Sequence, residues 1–501
     1  MKVFRSSLLL LLPPFLLLLQ TVLSFDPLLL QKHENHDMSD KCFCQLEGKI
    51  DDCMCNIDTV DFFNNMKIFP RLQSLLQKDY FRYFKYNANR PCPFWNASND
   101  QCKSPSCGVK PCTIDEIPVG LKASAKDDTI STCDNENTIE EDEILNNKVD
   151  KSLSEKARAD LQSWKDYDDS QGRFCQLDPD DNCPNCDYVD LSKNPERFTG
   201  YSGEAAHRIW RAIYEENCFE PPQTNHKKAA FSAAFFPKSL ESMCMEKRAF
   251  YRAVSGLHSS ITVHLTAQHP EGKADKKSNN LFPGIGNTEV YGPNLPLFLS
   301  RFDPDLTNGL GPYWLKNLYF VYLLELRAIT KAAPILEQQK FYTGNEIEDK
   351  ETQIAVKEVL NLMKSFPDQF DEKSMFKSGS KIEMLKLKDE FRQHFLNISR
   401  VMDCVSCDKC KLWGKLQITG LGTALKILFS SEDQKDQDFE HLMPSTLYLN
   451  SSDSNSSSTD LTLNKVSLSR NEIVALFNAF GRLSTSIQQL ERFRRMLSQK
   501  T

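Results

Sequence analysis

The sequence predicts a mainly α fold, a single helical domain built around a central helix bundle, with a small disulfide-stapled N-terminal hairpin and long loops. Apolar residues recur at helical spacing in 315–329, 384–398 and 469–490. Strand patterns are few outside residues 25–60. A length of 501 residues with a hydrophobic fraction of 40% is sufficient for a sizeable core.

Two of the helical segments carry further detail. The run Leu318–Leu324 is apolar on every side, so this helix is predicted to lie at the centre of the bundle. The last segment begins with Ser469 and has Glu472 three residues later, which is the capping-box pattern of a helix start.

The N-terminus predicts a signal peptide over residues 1–24. Lys2 and Arg5 precede the apolar run Leu8–Leu19, which two prolines interrupt, and the small Ser24 offers a cleavage position. The net charge of -7 gives no reason to expect nucleic acid as a partner. Behind a signal peptide, the 17 cysteines indicate disulfides rather than the metal sites they would suggest in a reducing cytosol.

Sequons and cysteine clusters agree with a lumenal protein. N-x-S/T triplets occur at Asn96, Asn397, Asn450 and Asn455, of which the first two are taken as glycosylation sites. The first cysteine cluster pairs positions two residues apart, which share one face of a strand and could staple a hairpin. Its members are Cys42, Cys44, Cys53 and Cys55.

A long loop is predicted over residues 92–146 of the helical domain 61–501. It begins in a segment rich in Pro, Ser and Gly, and it continues into the acidic stretch Asp127–Glu143, which is too charged to pack. Variable insertions are predicted at 265–285 and 450–460.

The sharpest chemical motif is Cys407-Asp-Lys-Cys410. A C-x-x-C pair brings two sulfurs within one helical turn, and a helix starting at Cys407 would stabilise its thiolate, with Lys409 and Lys411 nearby. Such a pair can cycle between dithiol and disulfide. The alternatives are a structural disulfide or half of a zinc site.

Two other close pairs are less specific. Cys102 and Cys107 lie in the loop, where exposure suits a disulfide that must meet a protein substrate, although a loop disulfide without a role fits as well. Cys183 and Cys186 also have the spacing of a redox pair, but their polar segment, with Cys175 nearby, favours a local loop bridge.

Net oxidation of thiols needs a terminal electron acceptor such as a flavin or metal. Gly420-Leu-Gly422 begins like a dinucleotide-binding fingerprint but lacks the third glycine and a βαβ setting. A flavin in this chain would therefore be held by another route, with arginines at the phosphates and aromatic side chains at the rings.

The chain resembles the endoplasmic reticulum oxidoreductins, flavin-dependent oxidases that recharge protein disulfide isomerase. The segments that carry the resemblance are Asn194–Tyr201, Ser255–His258, Asn317–Phe320 and Cys404–Gly422. It implies that Cys407 and Cys410 form an inner active-site pair facing FAD, with Cys410 as the sulfur that attacks the flavin. Cys102 and Cys107 would form the outer shuttle pair that meets the isomerase.

The same resemblance implies a set of FAD contacts within the helix bundle. They are Arg197, Thr199, Trp210, Ser255, His258 and Arg301. Taken without the family, Trp210 and His258 would be read as core residues and Arg197 as a surface charge. Some family members place another arginine just before the central helix, where this chain has Trp314.

Disulfide pairings and regulation also come from the resemblance. It implies structural bonds Cys42–Cys55, Cys44–Cys53, Cys92–Cys404 and Cys218–Cys244. It also implies that Cys112 and Cys133 are regulatory and capture Cys107 and Cys102 in a resting enzyme. It assigns no role to Cys175, Cys183 and Cys186.

The function expected from this resemblance is a thiol oxidase of the endoplasmic reticulum lumen. It would generate disulfides in protein disulfide isomerase and pass electrons through FAD to O₂, giving hydrogen peroxide. A monomer without bound metal is expected, with peripheral association with the lumenal membrane face as an option. The alternative is a non-catalytic, disulfide-stapled lumenal or secreted binding protein. A thioredoxin-like isomerase is disfavoured because no βαβ pattern surrounds either C-x-x-C.

Overall fold

The structure is a computed structural model that describes residues 48–49, 57–95, 101–102, 104–122, 186–216, 245–270, 290–366, 370–371, 391, 394–429 and 468–499. Several predicted features lie outside these residues. They are the signal peptide, the cysteines of the N-terminal hairpin, Cys133, Cys175, Cys183, Cys218, Cys244, Asn96, Asn450, Asn455 and the insertion at 450–460.

Helices make up most of the described residues, which confirms the mainly α prediction. The α-helices are α1 (Ile57–Phe62), α2 (Phe69–Leu76), α3 (Asp79–Arg82), α4 (Glu204–Arg211), α5 (Met245–Ala267), α6 (Leu295–Phe302), α7 (Leu310–Gln338), α8 (Glu346–Lys364), α9 (Asp408–Phe429) and α10 (Arg470–Ser498). Short π-helical segments occur at Phe63–Ile68 and Ala212–Glu216, and 3₁₀ turns at Pro105–Cys107, Ile114–Glu116 and Met402–Cys404. The strands are β1 (Gly48–Lys49), β2 (Tyr83–Tyr86), β3 (Asp187–Asp190), β4 (His269–Pro270), β5 (Tyr291–Gly292) and β6 (Phe370–Asp371).

Helix α7 is the centre of the bundle, as its all-round apolar sequence predicts. The run Leu318–Leu324 is buried along its whole length. Helix α7 packs against α5, α9 and α10, and α8 lies along its flank. Trp314 lies inside the first turns of α7 rather than before it, because the helix already begins at Leu310.

Helix α10 begins where the capping box predicts. The Ser469 side chain accepts a hydrogen bond from the Glu472 backbone N–H, and the Glu472 carboxylate accepts one from the Ser469 N–H. These bonds satisfy backbone donors that an uncapped helix end would leave open.

The strands only form short two-stranded pairings. Strands β2 and β3 are antiparallel, with Phe84 opposite Val189, and β1 pairs with β6 in parallel. Strand β4 pairs with β5. Of the predicted insertion at 265–285, the structure describes residues 265–270, which are the end of α5, a turn at Gln268 and β4. Among the described helices, none has the length and apolar character needed to cross a bilayer.

The predicted glycosylation site Asn397 lies in the helical stretch 394–401 and is half-buried. Its Oδ1 is out of contact with solvent, whereas an oligosaccharide is attached through Nδ2. Glycosylation of Asn397 stays a prediction.

Gly256 and Gly420 each allow two helices of the bundle to approach closely. A Cβ at Gly256 of α5 would lie 2.1 Å from the carbonyl oxygen of Asn317 in α7. A Cβ at Gly420 of α9 would lie 2.4 Å from the Cβ of Ala479 in α10. Gly420, which resembles part of a dinucleotide fingerprint in the sequence, is therefore a packing residue.

Replacing Gly420 by Ala should destabilise the protein by about 1–3 kcal/mol, because the added methyl group meets backbone and Cβ atoms of α10 that cannot move aside. Gly414 of the same helix is the matched control. Its added Cβ would meet only the flexible thioether of Met402, at 2.7 Å, so Gly414→Ala should be close to neutral. Urea unfolding of both variants measures the difference, and equal stabilities would contradict this account of the α9–α10 contact.

Candidate active site

The Cys407–Cys410 disulfide lies at the start of α9, as the sequence predicts. Cys407 stands immediately before the helix, and its Sγ accepts a hydrogen bond of 3.3 Å from the Cys410 N–H. The first helical turn closes with the Lys411 N–H donating to the Cys407 carbonyl at 2.8 Å. Cys407 is fully buried, whereas Cys410 is partly exposed. The positive end of the helix dipole thus faces the inner pair.

The expectation that Lys411 supplies positive charge at these sulfurs is wrong, because its ammonium group points elsewhere. Lys411 Nζ donates to the carbonyls of Ala88 and Arg90, each at 3.0 Å. Burial lowers the pKa of this ammonium. Lys411 therefore holds the chain that leads into the loop, because its ammonium donates to two backbone carbonyls of that chain.

A second disulfide fixes the loop to the same place. Cys92 is bonded to Cys404, which lies three residues before Cys407, across a sequence separation of 312. Next to it, the buried Asp403 carboxylate forms an ion pair with Lys415 Nζ at 2.8 Å, and Arg90 lies 3.7 Å from its other oxygen. A buried carboxylate is tolerated only with such partners. The turn before α9 is thus anchored by both covalent and ionic contacts.

The outer disulfide lies directly against the inner one. Cys102 and Cys107 are bonded to each other, and Cys107 ends the 3₁₀ turn Pro105–Cys107, which the Ser104 hydroxyl caps. The Sγ atoms of Cys102, Cys107 and Cys407 all lie within 4.8 Å of one another. The Cys102 N–H also approaches the carbonyl of Ser406, at 3.5 Å. The loop is therefore docked on α9, with an outer sulfur close enough to reach Cys407 by a small side-chain movement.

Thr199 connects the inner disulfide to the residues expected to hold FAD. Its buried Oγ1 lies 3.4 Å from both Cys407 Sγ and Cys410 Sγ. Disulfide sulfurs carry no hydrogen, so the hydroxyl is the donor. The segment that contains Arg197 and Thr199 thus meets the start of α9 at the sulfurs of Cys407 and Cys410.

Aromatic side chains form a flat surface on α4 and α5. The Trp210 and His258 rings are stacked with centroids 3.5 Å apart and an interplanar angle of 11°. Tyr214 Oη lies within hydrogen-bonding distance of His258 Nδ1, at 3.1 Å. Burial and the nearby Arg301 charge lower the pKa of His258 to about 3, so its ring is neutral at pH 7. The Trp210 and His258 rings are therefore in direct face-to-face contact.

The surrounding polar residues fit the FAD that the resemblance implies. Arg301 is exposed and Arg197 half-buried over the Tyr291 ring, and neither forms an ion pair with a carboxylate of the described residues. Two uncommitted guanidinium groups suit a pyrophosphate. Ser255, another expected contact, is buried and accepts a hydrogen bond from Asn317 at 3.1 Å. Residues distant in sequence therefore supply cations, a flat aromatic surface and hydroxyls in one region.

Tyr214 and Asn317 are contacts that sequence reasoning missed. Both act through a residue of another helix, His258 and Ser255 respectively. Asn317 belongs to a segment that carries the resemblance, and this was the only signal for it. Tyr214 carries no signal in the sequence, because helix packing alone makes it a partner of His258.

Cys112 is a half-buried free thiol beyond the outer pair. Its backbone N–H donates to the carbonyl of Tyr188 at 2.8 Å, next to the bridge between Pro111 and Val189. Burial and the acidic neighbours Asp190 and Glu116 raise the pKa of its thiol. A raised pKa lowers the thiolate fraction, so any capture of Cys107 by Cys112 would be slow at neutral pH. The regulatory role itself stays a prediction, since Cys133 is outside the described residues.

Comparisons with known proteins identify the family of this chain. A family model described as Endoplasmic Reticulum Oxidoreductin 1 (ERO1) matches residues 67–490. The chain is 47% identical over 466 residues to ERO1-like protein alpha of Mus musculus, covering 91% of this chain and 92% of the relative. It is 43% identical over 477 residues to Ero1-like protein of Drosophila melanogaster, covering 92% of each.

A solved structure also matches. The structure titled "Structure of Ero1p, Source of Disulfide Bonds for Oxidative Protein Folding in the Cell" aligns with a TM-score of 0.54 and 26% identity, covering 89% of this chain and 98% of the other. The chain belongs to the endoplasmic reticulum oxidoreductin 1 family. As a member of this family it is an oxidoreductase, and it has the helical fold of the matched structure.

The second buried histidine of this oxidoreductin makes stability depend on pH. His264 Nε2 donates to the Glu196 carbonyl at 3.0 Å, and burial, with the Arg197 charge, lowers the pKa of His264 to about 3. The unfolded chain therefore binds a proton between about pH 6.5 and 3 that the folded chain excludes. The contribution of His264 to stability is complete above pH 6.5 and is lost as the pH falls toward 3.

We expect the free energy of unfolding of His264→Gln to fall less steeply between pH 6 and 4 than that of the unchanged protein. The slopes should differ by about 1.4 kcal/mol per pH unit. Glutamine keeps a donor for the Glu196 carbonyl but cannot titrate. Urea titrations at several pH values measure both slopes, and parallel slopes would show that His264 is protonated in the folded state.

Proposed function

We propose that this oxidoreductin is a thiol oxidase of the endoplasmic reticulum lumen, which generates disulfides in protein disulfide isomerase with FAD as cofactor and O₂ as final acceptor. The observation that carries the proposal is the line of contacts from Cys102 and Cys107 through Cys407 and Cys410 to Thr199. Electrons that enter at the outer pair can pass along these contacts toward the residues expected to bind FAD.

The first step takes place at the outer pair. Cys102 is half-buried on the loop, so a thiolate of the reduced isomerase can reach one sulfur of the Cys102–Cys107 bond. The attack forms a mixed disulfide between the isomerase and one cysteine of the outer pair. The second thiol of the isomerase then attacks this mixed disulfide, and the outer cysteine leaves as a thiol. The isomerase leaves oxidised, and the outer pair leaves as two thiols.

The second step passes the same two electrons inward. A thiolate of the outer pair attacks Cys407 Sγ, and the Cys407–Cys410 bond breaks with Cys410 leaving as thiolate. The other outer thiol then attacks the mixed disulfide and restores Cys102–Cys107, so both inner cysteines end reduced. The dipole of α9 stabilises the anionic sulfurs at its start.

The residues around the inner pair suit the final transfer. When FAD is bound, its chemistry is the acceptance of two electrons from a dithiol and their transfer to O₂, which gives hydrogen peroxide. Thr199 orients the inner sulfurs, while Trp210 and His258 offer a flat surface and Arg197 and Arg301 offer cations to the pyrophosphate. A neutral His258 adds no charge beside a ring system.

The purified protein, expressed without residues 1–24, should be yellow and show a flavin absorbance spectrum. It should consume O₂ and release peroxide when given reduced isomerase.

Cys410→Ala should keep the flavin spectrum and lose at least a hundredfold in O₂ uptake with any dithiol, because the inner pair can no longer form a disulfide. Colourless protein without turnover would favour the disulfide-stapled binding protein, and normal turnover of Cys410→Ala would contradict the role of the inner pair.

Cys102→Ala should separate two activities. Oxidation of reduced isomerase should collapse, because the outer disulfide is missing, whereas a small dithiol that reaches the partly exposed Cys410 directly should still be oxidised in part. Ser106→Ala, a change in the same turn that leaves both cysteines, is the control and should retain both activities. Equal loss of the two activities in Cys102→Ala would indicate that this cysteine is structural.

A further inference from the structure

Asn194 makes an unusual set of contacts at the base of the loop. Its side chain is 1% exposed. Its Oδ1 accepts from the Lys110 N–H at 2.7 Å, and its Nδ2 donates to the Lys110 carbonyl at 2.9 Å. The same Nδ2 donates to the Asp190 carbonyl at 3.0 Å. One amide group thus holds both backbone groups of a residue that lies three positions after Cys107.

The backbone of Asn194 reaches the helix that carries the inner pair. Its carbonyl accepts a hydrogen bond of 2.8 Å from the indole N–H of Trp413. Trp413 lies on α9, one turn beyond Cys410. Asn194 therefore contacts the loop through its side chain and α9 through its backbone, and it connects the two disulfides noncovalently.

We propose that Asn194 is a positioning residue that keeps the Cys102–Cys107 segment docked against Cys407. The inference rests on the proposed function, since docking matters only if the two pairs exchange electrons. The Cys92–Cys404 bond anchors the loop ten residues before Cys102, and Lys110 is held close behind Cys107. The segment between these two anchors is short. Cys102 and Cys107 can therefore exchange disulfides with Cys407 without moving away from α9.

The physical reason is local concentration. Exchange between two thiol pairs is fast only when the attacking sulfur is held near the sulfur it attacks, and a tethered loop raises that local concentration by restricting where it can go. Release of the Lys110 contacts would leave the loop attached through Pro111 and the Cys112 N–H to β3, yet free to turn about these points. The outer sulfurs would then spend less time at Cys407.

The test measures this local concentration without flavin or O₂. The reporter protein carries Cys102→Ser and Cys410→Ser, which leaves Cys107 and Cys407 to form a single disulfide with each other. Cys112→Ala and Cys133→Ala are added so that no neighbouring thiol captures Cys107. In defined mixtures of reduced and oxidised glutathione, mass spectrometry after alkylation gives the equilibrium constant of the Cys107–Cys407 bond.

In the reporter, Asn194→Ala should lower this equilibrium constant about tenfold, a ratio that corresponds to about 1.4 kcal/mol. Asn194→Asp should lower it at least as much, because it turns the donor to the Lys110 and Asp190 carbonyls into a buried anionic oxygen that these carbonyls repel. If Asn194→Ala does not fold, Lys110→Pro tests the same contact from the loop side, since proline has no N–H to donate.

Asn471 provides a matched control. It is 6% exposed and also clamps both backbone groups of a lysine, accepting from the Lys85 N–H at 3.3 Å and donating to the Lys85 carbonyl at 2.9 Å. It joins β2 to α10. Asn471→Ala should lower the melting temperature as Asn194→Ala does, yet leave the Cys107–Cys407 equilibrium unchanged.

An unchanged equilibrium in Asn194→Ala, or an equal fall in Asn471→Ala, would overturn the proposal. Because the reporter needs no oxidase activity, its outcome is independent of the proposed function. A colourless, inactive protein whose reporter still responds to Asn194→Ala would reject the oxidase and keep the docking contact. An active oxidase in which Asn194→Ala leaves the Cys107–Cys407 equilibrium of the reporter unchanged would keep the oxidase and reject the docking contact.

Discussion

The contact between the outer disulfide and Cys407 is the constraint on which the rest of the site depends. Thiol–disulfide exchange requires one sulfur to approach another along the line of the bond that breaks, and three sulfurs of two different segments lie within 4.8 Å of one another here. A helix start supplies one partner and a loop supplies the other. Helix α9 is rigid because it is packed in the bundle, so the position of the loop decides whether exchange can occur.

The contacts that fix the loop are of different strengths. The Cys92–Cys404 bond is covalent, the Lys411 ammonium holds the carbonyls of Ala88 and Arg90, and Asn194 holds Lys110. Together they leave a short segment between two anchors. Burial makes the polar contacts effective, because a buried amide or ammonium without its partners costs free energy. The loop can thus be polar and irregular in sequence and still have a defined position.

The bundle also determines the electrostatics of the region that is expected to hold FAD. His258 and His264 are neutral at pH 7 because burial and a neighbouring arginine disfavour a second positive charge. Arg197 and Arg301, which form no ion pair with a carboxylate of the described residues, are available to an anionic ligand. Thr199 lies between this region and the inner sulfurs, so the hydroxyl that contacts the disulfide belongs to the same segment as one of these arginines.

The sequence alone determined what depends on neighbours a few residues apart. The apolar run Leu318–Leu324 identified the central helix, the Ser469 capping box identified the start of α10, and the C-x-x-C spacing of Cys407 and Cys410 placed a close cysteine pair at a helix start. These signals act within one or two helical turns, where periodicity and capping are physically decided.

Only the tertiary structure decided contacts between distant segments. Thr199 meets Cys407 across 208 residues, and Lys411 turns toward Ala88 instead of toward the sulfurs beside it in sequence. Such outcomes depend on which faces of the helices meet, and many distant residues determine this together, so no local pattern in the chain encodes it.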